Sequence, residues 1–169
     1  MECEKSMASI ADAAGVTIQL KPGKHHRLIK GLIEKFVPHF VPGSRVLYAG
    51  DTSEKSGYFD KAGLAALGMK VNMLSKMPDV ILYYPTMNWL LLVEAVTSHG
   101  AINEKRHCEL AMLFSRCTAG KVYLTVLPKR TDMARHFADI SWETVVWVAE
   151  APKHIILFNG EHFLGPYKT

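Results

Sequence analysis

Two carboxylates stand out in MPDVILYYPTMNWLLLVEAVTSHG: Asp79, just before the run VILYY, and Glu94, inside the apolar run NWLLLVEAV. A charge among leucines and valines is costly to bury unless something positive meets it. Two acids brought together repel, and one takes up a proton unless a cation holds both ionised. Mg²⁺ suits such a pair, because it binds one or two carboxylates and fills its remaining positions with waters and phosphate oxygens. At a phosphodiester it would polarise the phosphoryl oxygen and activate an attacking water. The competing reading is structural: Asp79 turns the chain at a strand start, and Glu94 pairs with a lysine or arginine.

Short β-rich runs must position these acids. VILYYP and NWLLLVEAV are separated by a few turn-forming residues, which predicts an antiparallel hairpin with Asp79 and Glu94 at its open end. Alternation places Leu90, Leu92, Glu94 and Val96 on one face and Leu91, Val93 and Ala95 on the other. Upstream, the apolar spacing over residues 25–40 predicts an amphipathic helix, RVLYAGD a buried strand, and residues 58–67 a second helix. Downstream, Asn103 is placed to cap a helix over 103–117, with Arg106, Leu110, Leu113 and Phe114 on one side. KVYLTVLP, a short helix over 132–140, TVVWVAE and HIILFNG complete an α/β order with mixed strand directions. Residues 1–22 read as a loose arm outside the core, or the remnant of a preceding segment, and residues 23–169 as the folded domain.

Composition narrows the class without naming a function. The 169 residues suffice for one domain, with 49% apolar and 21% charged residues, as in ordinary globular proteins. A net charge of +4 favours an anionic partner only weakly. Three cysteines with no paired spacing suggest neither a disulfide framework nor a zinc cage, which fits a cytoplasmic protein. No apolar run is long enough to span a bilayer, so no membrane association is expected.

The set of long segments is more specific than the acid pair. KPGKHHRLIKGLIEKFVPHFVPGSRVLYAGDT, MPDVILY, NWLLLVEAVTSHG with the following KRHCEL, and DISWETVVWVAEAPKHIILFNGEHFLGPY resemble the catalytic domain of the BsuBI/PstI type II restriction endonucleases. That family has the PD-(D/E)XK nuclease pattern, and the resemblance runs from about residue 20 to 167. It implies a restriction-endonuclease-like mixed β-sheet flanked by helices. It also implies Mg²⁺-dependent cleavage of double-stranded DNA at a short palindrome, a homodimer with one active site per strand, and ends carrying a 5′-phosphate and a 3′-hydroxyl. Asp79 and Glu94 stand at the two acidic positions and carry over as metal ligands.

The chain departs from the pattern in two ways. The motif lysine, two residues after the second acid, is replaced by Val96. Lys105, near the start of the next helix, is the candidate to reach back and aid the water; the alternative is an ordinary helix pair with Glu109. Full-length enzymes of the family also carry a further N-terminal region resembling a helical DNA-binding domain, and this chain begins close to where the catalytic domain starts. A catalytically silent DNA-binding relative, or a fragment, is therefore the rival reading.

Other residues complete the expected site. Asp51, in GDT, is a candidate third acid for the metal, against a turn or cap role. Ser98 and His99 directly follow the catalytic strand and are placed to hold the scissile phosphate rather than to act as nucleophile and base. Lys24, His25 and Arg27 form a basic cluster, with Lys129 and Arg130 a second, for the DNA backbone. Glu34, between Lys30 and Lys35, reads as part of a solvated face. Trp89, Trp142 and Trp147 read as core residues rather than base-stacking platforms.

Overall fold

The computed structural model describes residues 8–50, 57–70, 76–97 and 100–159. Its centre is a seven-stranded mixed sheet in the order β4-β3-β5-β6-β7-β8-β9. In chain order these are β3 (Arg45–Ala49), β4 (Tyr58–Phe59), β5 (Val80–Tyr84), β6 (Trp89–Ala95), β7 (Gly120–Leu127), β8 (Thr144–Val148) and β9 (Ile155–Phe158). The β5–β6 hairpin is antiparallel, with Val80 opposite Val93 and Tyr84 opposite Trp89. By contrast β6, β7 and β8 run parallel, so their C-terminal ends share one edge of the sheet with the start of β5.

Alternation in β6 decides what covers each face. Leu91, Val93 and Ala95 pack with Ile29, Leu32, Phe36 and Trp147. These side chains come from α1 (Lys24–Gly31), the π-helical segment Leu32–Phe36 and β8, and Val37 of α2 (Val37–Phe40) joins them. Leu90 and Leu92 pack on the opposite side with Leu64 of α3 (Lys61–Ala66) and with Leu110 and Phe114 of α4 (Glu104–Leu113) and its C-terminal end. Beside α5 (Arg130–His136), a third cluster joins Val96, Leu127, Val146 and Val148.

Two parts of the fold differ from the sequence reading. The described part of the expected loose arm forms a hairpin of β1 (Ala8–Ala11) and β2 (Thr17–Leu20). Its Ile10, Ile18 and Leu20 are buried against the α1 side of the sheet. Burying each such side chain is worth roughly 1.5–3 kcal/mol, which outweighs the weak local pattern that suggested an arm. The second helix also starts later than expected: Tyr58 and Phe59 pair with β3 as a short strand, and Asp60 caps α3 by accepting the Gly63 N–H. Gly57, at φ 73, is required there, since a Cβ would stand 2.7 Å from the Ala49 carbonyl.

Candidate active site at the open end of the β5–β6 hairpin

The register that sets Val80 opposite Val93 carries Asp79 to a place across from Glu94. Asp79 Oδ2 accepts the Ala95 N–H at 2.8 Å, continuing the ladder with a side chain. The Gly50 N–H donates to the Asp79 carbonyl at 3.0 Å, tying the end of β3 to the same point. From the α1 side, His25 Nε2 lies 3.4 Å from Asp79 Oδ2. From the other face, Arg106 of α4 meets Glu94 Oε1 through Nε at 2.7 Å and Nη2 at 2.6 Å.

Local sequence explains why Arg106 arrives there. Asn103 caps α4, its side chain accepting the Arg106 N–H at 2.8 Å, and this fixes the first helical turn. The approach to the helix is pinned by Thr125, which stands beside Glu94 in the parallel register and accepts the Ile102 N–H at 3.2 Å.

The electrostatics show two acids under tension. Burial pushes the Glu94 carboxyl up first, the Asp79 charge adds to this, and Arg106 only partly opposes it, leaving Glu94 pushed up to about 7. Burial also acts to raise Asp79, but hydrogen bonds from His25 and the Ala95 N–H, the His25 charge and a hydrogen bond with Glu94 outweigh it. Asp79 is therefore held below the usual carboxylate range. One carboxylate stays ionised and its neighbour holds its proton more tightly, the ordinary response of two acids at close range. Among the described residues no group of three or more His, Cys, Asp or Glu side chains could hold a metal. A pair of carboxylates completed by water and phosphate oxygens is nevertheless the habit of Mg²⁺, so the donor set fits that ion.

The other expected site residues lie at different places around the acids. His25, expected on the DNA backbone, sits in the site against Asp79, while its neighbours Lys24 and Arg27 are exposed on the same helical turn. Lys129 and Arg130 are exposed just beyond the C-terminal end of β7, on the same sheet edge as the acids. Asp51, Ser98 and His99 lie outside the described residues.

Lys105 is not brought to the acids: its side chain is 83% exposed and its Nζ stands 4.0 Å from Glu109 Oε1. Successive helical residues point about 100° apart, so with Arg106 turned toward Glu94 its neighbour faces water. Glu34 is likewise solvated, 3.7 Å from Lys30. Trp147 is buried as expected, whereas Trp142 is 67% exposed.

Arg106 is the residue that sequence reasoning missed. The available signal was its place on the helix stripe shared with Leu110 and Phe114, because a cation on a core-facing stripe needs a buried acid.

Comparison with known proteins agrees with this architecture. The chain is 53% identical over 167 residues to "Type II restriction enzyme BsuBI" of Bacillus subtilis, covering 99% of this chain and 53% of that protein. It is 28% identical over 159 residues to "Type II restriction enzyme AplI" of Arthrospira platensis, covering 90% of this chain and 49% of that one. The solved structure described as "Structure of SdaI restriction endonuclease" superposes with a TM-score of 0.88 at 39% identity, over 96% of this chain and 51% of its own. The chain thus spans about half the length of these relatives. Residues 8–161 match the family described as BsuBI/PstI restriction endonuclease domain, and the chain belongs to that family.

Proposed function

We propose that this chain carries the cleavage site of a Mg²⁺-dependent type II endonuclease acting on double-stranded DNA at a specific sequence. The observation that supports this most is the convergence of Asp79 and Glu94 at the open end of one hairpin. Their carboxylates would hold the cation. A bound divalent cation supplies charge stabilisation to the phosphoryl oxygens and lowers the pKa of the attacking water.

The chain's own residues do the rest. His25 and the Ala95 N–H hold Asp79 in its ionised form and fix its orientation. Lys24, Arg27, Lys129 and Arg130 contribute phosphate contacts along the same edge, which position the duplex without reading its sequence. Ser98 and His99 remain candidates for holding the scissile phosphate, and Asp51 for a third carboxylate. A homodimer, with one site on each strand, would match a palindromic target. The protein would act in the cytoplasm, where invading DNA is met.

The test is incubation of purified protein with unmethylated phage DNA, with and without Mg²⁺, alongside Glu94→Ala. Discrete Mg²⁺-dependent fragments are expected from the native chain. Groups that merely orient metal ligands cost 10–100-fold when removed, so loss of a ligand should cost more than about a hundredfold. Retained DNA binding with no cleavage by the native chain would favour the silent relative instead.

A further inference from the structure

The place of the motif lysine is taken by Val96, which is buried among Ala101, Leu127, Val146 and Val148. An ammonium there would be stranded in an apolar cluster. Positive charge reaches the acids from Arg106 instead, and the way it is bound defines what it can do. Nε and Nη2 both meet Glu94 Oε1. Nη2 also donates to the Met77 carbonyl at 3.1 Å, and Nη1 to the Lys76 carbonyl at 3.2 Å and to Glu109 Oε2 at 3.4 Å. A guanidinium has one N–H on Nε and two on each terminal nitrogen; four hydrogen bonds and the close Nη2–Glu94 ion pair engage all three nitrogens.

We propose that Arg106 is the positioning residue of this site, presetting both carboxylates for one cation without touching DNA or the attacking water. The proposal rests on the two-carboxylate reading given above. Glu94 is held directly, and since both contacts fall on Oε1, Arg106 leaves Oε2 to other partners. Asp79 is held through the chain: the Lys76 and Met77 carbonyls lie just before it, and Pro78 stiffens the link by fixing its own φ and restricting Met77. One side chain on α4 thereby ties Glu94 on β6 to the segment that leads into β5. Lysine would replace it poorly, because its three donors sit on one nitrogen, whereas the planar guanidinium spreads five over three nitrogens that reach Glu94 and the two carbonyls.

The test uses Mn²⁺ as the probe and the DNA-free protein, with free ion measured by electron paramagnetic resonance. Arg106→Met should weaken Mn²⁺ binding by about 10–100-fold, as for other groups that orient metal ligands. Arg106→Lys should also weaken it several-fold, because the charge is kept and the fork is lost. Lys105→Met should leave it unchanged. In cleavage assays, raising Mn²⁺ should return both Arg106 variants toward the native rate.

Circular dichroism checks folding; if Arg106→Met does not fold, Arg106→Lys, which avoids an unpaired buried carboxylate, carries the test. Folded variants that bind Mn²⁺ as the native protein does would overturn the proposal and leave Arg106 a purely structural brace. Native Mn²⁺ affinity with a cleavage rate that stays low at saturation would also overturn it, placing Arg106 on the reacting atoms. A native protein that binds no Mn²⁺ would remove the two-carboxylate site itself, and the proposal with it.

Discussion

The two ends of the β5–β6 hairpin are built from the same two strands and solve opposite problems. The turn end is held by neutral contacts: the Asn88 N–H bonds the Pro85 carbonyl, the Tyr83 hydroxyl bonds the Asn88 side chain, and the rings of Tyr84 and Trp89 lie 6.1 Å apart. The Asn88 carbonyl accepts from the Gly120 N–H, joining the turn to β7. At the open end, two carboxylates, a histidine and an arginine crowd one point, and the balance leaves Glu94 pushed up to about 7. The turn end is chosen for the fold. The open end keeps two like charges at close range, and this cost is what the proposed cation site rests on.

The contrast makes its largest prediction for pH. Glu94 binds its proton more tightly in the folded chain than in the unfolded one, so its contribution to stability is present below about pH 4.5 and is lost as pH rises through about 7. The change is on the order of 3 kcal/mol at most. Asp79 has the opposite sign: its contribution is present above the ordinary value of 3.8 and is lost only as pH falls below it. Metal-free protein should therefore unfold at lower urea at pH 8 than at pH 5, and Glu94→Gln should abolish much of that difference. Equal midpoints for the native chain at both pH values would remove the tension on which the contrast depends.

The next prediction concerns the turn. Asn88 sits at φ 53, where asparagine is tolerated far better than residues without a short polar side chain. Asn88→Ala should cost about 1 kcal/mol from the strained backbone and the lost bond to Tyr83. Metal-dependent cleavage should not change. A loss of cleavage in a folded Asn88→Ala protein would show that the two ends are not separable.

The smallest effect is expected from Lys105→Ala. An exposed helix pair contributes little, so cleavage should change by no more than about twofold. A loss beyond tenfold would restore Lys105 as the group that aids the water.

Much of this was legible in the chain itself. The hairpin, the alternation of β6 and the capped helix at Asn103 follow from short-range patterns that tertiary contacts only reinforce. The acid pair was legible because turn and register together fix which residues lie opposite. The contact between Arg106 and Glu94 was not, since it depends on how α4 crosses the sheet. His25 reads in sequence as one of four adjacent basic residues, and only the packing of α1 turns it toward Asp79. Ile10, Ile18 and Leu20 were missed for a similar reason: four-residue strands carry too little pattern to announce a core.

If Asp79 and Glu94 at the open end of the hairpin hold a cation as proposed, its binding stabilises the folded chain. The most direct measurement is the melting temperature at pH 8, with and without Mg²⁺, for the native chain and for Glu94→Gln. A site at tenfold excess of ion over its dissociation constant gains about 1.4 kcal/mol, which corresponds to a rise of about 2–6 °C. That rise is expected in the native chain and none in Glu94→Gln; the same rise in both, or in neither, would rule out a cation held by the two acids.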